Sequence, residues 1–237
     1  MTDRSNSNES VIDYLASLRW DGTARLDRWL INCAGAADTP QVREVSRKSL
    51  IAAVRRARQP GCRLDQVLVL DGAQGCGKSS LLRTLAVRDA WFTDEFPLNP
   101  RGLVEATEGK WIVELTTLHP SNLAGLKACL SRQHDMYRKL YDHKVTQTPR
   151  QFVVIGTVST DVSYLRDPAV NRRFCPVAIK HVDLQRLQAE RDQLWAEAAA
   201  AEAPDESVRL DTTGDASAQK TWLCEQPDLE RRAQVKA

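Results

Sequence analysis

The chain has 237 residues, with 33 lysines and arginines against 31 aspartates and glutamates and a formal net charge of +2. That length suits one domain of ordinary size with small appendages, and the near-balance of charge names no partner for the molecule as a whole. The six cysteines contain no C-x-x-C pair, which argues against a zinc site or a disulfide scaffold and for reduced, mostly buried thiols. The opening MTDRSNSNES is polar rather than a signal peptide, and no apolar run reaches the length of a membrane span, so a soluble, cytoplasmic protein without membrane contact is expected.

Residues 1–9 are expected to be disordered and 10–63 to form an N-terminal helical segment. From Ser10 the apolar positions Val11, Tyr14, Leu15 and Leu18 recur at helical spacing, and the residues up to Gly22 close that element with a turn. A second short helix carries Leu26, Trp29, Leu30 and Cys33 on one face and ends near Gly35. Thr39-Pro40 reads as an N-cap and first-turn proline, opening a long helix with Val42, Val45, Leu50, Val54 and Ala57 inward. Its other faces carry Arg43, Arg47, Lys48, Arg55, Arg56 and Arg58 against the acid Glu44, which suits either a solvated face or a nucleic-acid contact.

The stretch VLVLDGAQGCGKSSLLRTL, from Val67 to Leu85, is the most informative in the chain. Val67 to Leu70 reads as a buried strand, and Leu81, Leu82 and Leu85 set a helical period after the loop. Gly72, Gly77, Lys78 and Ser79 reproduce G-x-x-x-x-G-K-[ST] without a mismatch. Gly72, Gly75 and Gly77 permit backbone conformations that turn successive N–H groups toward phosphate oxygens, and the following helix offers its positive end to the same anion. Lys78 suits the β- and γ-phosphates, and the Ser79 hydroxyl suits the Mg²⁺ that bridges them. Cys76 and Ser80 complete the nucleotide-binding stretch, although the pattern gives Ser80 no role of its own.

Alternating strand and helix signals follow. Trp111-Ile112-Val113 is an apolar strand running into Glu114, Asn122 to Leu130 is helical, and QFVVIGTVS and FCPVAI are two further buried strands. Asp183 opens a long helix reaching Ala203. Buried strands separated by helices predict an α/β fold with a mostly parallel sheet over 64–182, a C-terminal helix over 183–203 and a weakly ordered tail over 204–237.

A phosphate loop needs a carboxylate at the end of a neighbouring strand to hold the metal or orient water, and Glu114 stands there. A second carboxylate is absent from ELTTL, where positions 116 and 117 are threonines. Thr157 and Ser159, at the end of the strand from Val153, are candidates to touch the γ-phosphate or the attacking water. Arg172 and Arg173 are candidates to stabilise phosphoryl transfer in an adjoining subunit, or plain surface ion-pair partners.

The segment from YLASLRWDG through GAQGCGKSSLLRTLA, followed by GKWIVELTTL, LKACLSRQHDMYR, PRQFVVIGTVS, YLRDPAVNRRFCPV and RDQLWAEA, resembles the virulence-associated protein E family. The match runs in order from about Tyr14 to about Ala198. The resemblance implies an ATP- and Mg²⁺-dependent P-loop ATPase of the AAA+ type, related to superfamily 3 helicases of phage and mobile-element replication. By that likeness Lys78 and Ser79 are the Walker A pair, Glu114 the Walker B acid, and Arg173 or Arg172 the arginine finger of an oligomeric ring. The chain departs from the family pattern at Thr117, where a second glutamate is usual, and at Val158-Ser159, where an asparagine is usual. Two readings follow: a helicase-like ATPase acting on DNA as a homo-oligomer, or a nucleotide-binding assembly or regulatory protein with weak or absent hydrolysis.

Between the Glu114 and Gln151 strands, Arg132, Arg138, Lys139, Lys144 and Arg150 are interleaved with Tyr137, Tyr141, His134 and His143. That mixture suits single-stranded or forked DNA. In superfamily 3 helicases a hairpin in the corresponding place enters the ring channel, and the resemblance assigns that role to Arg138, Lys139 and Lys144. The same residues equally suit a solvated connector.

Overall fold

The structure is a computed structural model that describes residues 10–64, 66–116, 123–138, 145–159 and 173–203. The expectations for 1–9 and 204–237 lie outside these residues. Three helices lead the chain: α1 (Val11–Ser17), α2 (Trp29–Ala34), preceded by a 3-10 turn at Leu26–Arg28, and α3 (Pro40–Arg58). The Thr39-Pro40 start of α3 and the Gly35 end of α2 are those the sequence predicts. Ser10 and Asp13 form a reciprocal capping box on α1, and the Thr39 hydroxyl accepts from the Val42 amide with Pro40 in the first turn of α3. Gly35 ends α2 in the left-handed conformation at φ +63°.

The remaining elements are β1 (Val67–Asp71), α4 (Lys78–Leu85), β2 (Phe92–Thr93), α5 (Pro100–Thr107), β3 (Ile112–Leu115), α6 (Leu123–Leu130), β4 (His134–Arg138), β5 (Val145–Pro149), β6 (Val153–Val158), β7 (Phe174–Ala178) and α7 (Leu184–Ala201). Five strands form one sheet in the order β2-β3-β6-β1-β7, and every pairing in it is parallel. The α/β expectation is therefore met. β4 and β5 pair separately as an antiparallel hairpin between α6 and β6. Pro176, which has no N–H to donate, is tolerated because β7 is an edge strand.

The sheet is buried on both faces, which is why its strands read as continuous apolar runs rather than alternating ones. Leu68, Leu70, Ile112, Ile155, Cys175 and Val177 pack with Leu81, Leu82 and Leu85 of α4 and with the apolar sides of α1, α2, α3 and α7. Val67, Val69, Leu115, Val158 and Phe174 face Leu126 and Leu130 of α6, and Val113 meets Leu103 of α5 and Cys129. Three fully buried tryptophans fasten the larger layer, each indole N–H donating to a main-chain carbonyl: Trp29 to Ser46, Trp111 to Ala53 and Trp195 to Leu85, at 2.9–3.0 Å. Trp195 couples α7 to the C-terminal end of α4, so the helix that carries Lys78 and Ser79 is held from behind. Among the described residues, no helix is long and apolar enough to cross a membrane.

Candidate nucleotide site

The glycine-rich loop leaves the carboxyl end of β1, between the ends of β6 and β7. A Cβ on Gly72 would lie 2.9 Å from both Cys76 Sγ and the Ile179 carbonyl oxygen, so no larger residue fits there. Gly75 and Gly77 take φ values of +80° and +99°, the left-handed region that glycine enters without penalty. α4 then begins at Lys78 with no side-chain cap, and its first intrahelical amide bond runs from Leu81 to Gly77 at 2.8 Å. The amides of Lys78, Ser79 and Ser80 precede that bond and have no intrahelical acceptor, which leaves them available to an anion at the helix start.

Lys78 is only 9% exposed. Its ammonium donates to the Gly72 carbonyl at 2.8 Å, the Ala73 carbonyl at 2.9 Å and Ser159 Oγ at 3.1 Å, and lies 3.8 Å from Cys76 Sγ. All three of its protons are thus placed by the loop and by the end of β6. Cys76 is half-buried, and Ser79 and Ser80 are exposed on the first turn of α4. The deeper thiols differ: burial pushes the Cys33 and Cys175 thiols up to about 12, so neither is a nucleophile at neutral pH.

Glu114 is 1% exposed and faces the same space. Ser79 Oγ donates to its Oε1 at 2.8 Å, and Thr157 Oγ1 donates to the same oxygen at 2.7 Å. Register explains the meeting: Glu114 sits opposite Ile155 on β6, which brings Thr157, two residues on and on the same face, beside the carboxylate. Glu114 Oε2 is buried with no hydrogen-bond partner among the described residues. A hydroxyl and a carboxylate with one unsatisfied oxygen make a hard-oxygen donor pair, so Ser79 and Glu114 fit a divalent cation such as Mg²⁺.

The other candidate residues distribute unevenly. Ser159 is brought to the site through Lys78. Thr157, a candidate for the phosphate or the water, instead bonds Glu114. Arg173 lies at the opposite end of the sheet, where its carbonyl accepts from the Val67 amide at 2.7 Å and its guanidinium donates to the Lys127 carbonyl at 2.8 Å and to the Ser131 hydroxyl. The length of β1 separates it from Gly72 by about 16 Å, at about 3.3 Å per residue, so it does not reach the Gly72–Ser79 loop of its own chain. Arg138 closes β4 opposite Val145. Arg172, Lys139 and Lys144 lie outside the described residues.

Two basic groupings read from the sequence find acidic partners in the structure. On α3, Arg43 pairs with Asp38, Arg47 with Asp27, Lys48 with Glu44, and Arg55 and Arg58 with the buried Glu202. Glu44 is α3's own, but Asp27, Asp38 and Glu202 come from outside it, which a reading of α3 alone does not count, and the helix is no free cationic stripe. Arg150, grouped with the candidate nucleic-acid residues, is 3% exposed and bonds both oxygens of the buried Asp135 at 2.6 and 2.7 Å. It is a structural ion pair at the base of the hairpin, and Asp135, one of only two acids in that segment, was the signal for it.

Comparison with known proteins agrees with this architecture. The model of the virulence-associated protein E-like domain matches residues 15–228. A comparison with curated proteins finds no match. Among solved structures, the A-form apo structure of the NrS-1 C-terminal region superposes with a TM-score of 0.58 at 13% identity, covering 88% of this chain and 54% of that one. A second, the A-form apo structure designated CTR(305-718), gives a TM-score of 0.57 at 14% identity, covering 88% and 52%. The chain spans about half the length of these neighbours, and at such identity the likeness is one of fold. With the family model covering most of its length, the chain belongs to the virulence-associated protein E-like domain family.

Proposed function

We propose that the chain is an ATP-binding and ATP-hydrolysing P-loop module of the AAA+ type, belonging to a phage or mobile-element DNA replication protein and acting on DNA as an oligomer. The observation that carries this reading is the 2.8 Å bond from Ser79 to Glu114. It joins the end of the G-x-x-x-x-G-K-[ST] motif to a strand-end carboxylate 35 residues away, which is the pairing that Mg²⁺-dependent phosphoryl transfer requires. Mg²⁺, when bound, neutralises charge developing on the β- and γ-phosphates. The chain's own part is to cradle the phosphates with the Gly75–Ser80 amides, to neutralise them with Lys78 and to hold the metal with Ser79 and Glu114.

Arg173, with Arg172 beside it, is proposed to act in the site of a neighbouring copy. Its place at the far end of β1 supports a role in trans over one in cis. Arg138, Lys139 and Lys144, on or beside the β4–β5 hairpin, are proposed to contact the backbone of single-stranded or forked DNA. A second reading, a nucleotide-binding assembly or regulatory protein without turnover, is favoured by the threonines at 116 and 117 in place of a second acid.

Phosphate release measured with and without single-stranded DNA separates the two. On the first reading the wild type turns over, and Glu114→Gln retains ATP binding while losing turnover by about 100-fold or more, the range seen when a group stabilising the transition state is removed. A wild type that binds ATP with no turnover under either condition selects the second reading.

A further inference from the structure

We propose that Thr157 is a positioning residue for the Glu114 carboxylate, fixing one oxygen so that the other is presented to the metal; the inference rests on the nucleotide-site reading above. Glu114 receives two hydroxyl donors, and both fall on Oε1, while Oε2 is buried and unpartnered. Two bonds on one oxygen set the plane of the carboxylate and leave Oε2 as the free ligand. The two donors are not equivalent. Ser79 stands on the exposed first turn of α4, and its hydroxyl is the group that a cation must also engage. Thr157 is 6% exposed on β6, a strand paired to β3 on one side and β1 on the other, so its backbone is fixed from both sides. As a β-branched residue in a strand it has little freedom about χ1. When Ser79 turns to a cation, Thr157 is the donor that keeps Oε1 in place.

β6 thereby reaches both halves of the site. Thr157 holds the acid of β3, and Ser159, two residues later, accepts from the lysine of α4. Groups that orient a metal ligand from behind affect metal affinity about 10- to 100-fold when removed.

The test compares Thr157→Val, Thr157→Ala and Thr157→Ser with wild type, reading Mn²⁺ affinity by electron paramagnetic resonance in the presence of ATP and ATP affinity in the absence of metal. The two hydroxyl-less variants should bind Mn²⁺ about 10- to 100-fold more weakly with metal-free ATP affinity unchanged, and Thr157→Ser should stay within a few-fold of wild type. Wild-type Mn²⁺ affinity in Thr157→Val overturns the inference while leaving ATP binding intact. Loss of folding in both hydroxyl-less variants, with Thr157→Ser folded, assigns the hydroxyl a purely structural role and also overturns it. A wild type that binds neither ATP nor Mn²⁺ removes the nucleotide-site reading itself, and this inference with it.

Discussion

Lys78→Ala is expected to weaken ATP binding by about 30-fold to several thousand-fold, as measured by isothermal titration, with the fold retained. The magnitude follows from removing one partner of a desolvated charge pair, about 2–5 kcal/mol, with each 1.4 kcal/mol a factor of ten. Without nucleotide, the ammonium is held by the Gly72 and Ala73 carbonyls and by Ser159. A triphosphate offers charged oxygens in place of those neutral acceptors, and charge-assisted bonds are about twice as strong as neutral ones. The lysine is therefore pre-positioned and loses little side-chain entropy on binding, since its burial already confines it. Lys78→Arg is not expected to rescue, because a planar guanidinium does not fit a cavity shaped around a tetrahedral ammonium.

The largest effect on stability is expected at the base of the hairpin. Asp135→Ala leaves the Arg150 guanidinium buried without its carboxylate, and removing one partner of a buried pair destabilises by about 3–5 kcal/mol. Arg150 also donates to the Cys129 carbonyl at 2.6 Å, while its own carbonyl accepts from the Gly61 amide at 2.8 Å. One residue therefore ties the hairpin to the end of α6 and to the turn after α3. Urea unfolding of Asp135→Ala should show the full loss. The double variant Asp135→Leu/Arg150→Met should recover part of it, because apolar side chains of similar volume replace a buried ion pair without leaving a charge exposed to low dielectric. If the hairpin contacts DNA, Lys139→Ala and Lys144→Ala weaken binding in a salt-dependent way with no change in stability, the opposite signature.

Much of the candidate site was legible because its parts are local. Gly72 to Ser79 is one contiguous stretch in which each glycine answers a backbone requirement, and Glu114 follows three apolar strand residues. The parallel sheet was legible for a related reason: strands buried on both faces show as apolar runs, as in Val67 to Leu70 and Val153 to Ile155. What was not legible depends on elements far apart in sequence. The charges of α3 are met by Asp27, Asp38 and Glu202, two of them before the helix and one 144 residues after Arg58. Thr157 reads as a strand-end polar residue, and only the register of β6 against β3 shows that its hydroxyl belongs to Glu114. Arg150 looks like one more cation until Asp135 is brought across the hairpin to meet it.

The account stands on main-chain amides between Gly75 and Ser80 gripping a triphosphate. Amide hydrogen exchange of the full chain, with and without ATP and Mg²⁺, reads those groups directly. The account predicts that exchange across Gly75–Ser80 slows on adding nucleotide, in wild type and not in Lys78→Ala. ATP binding with unchanged exchange in that segment, and protection elsewhere, would contradict it.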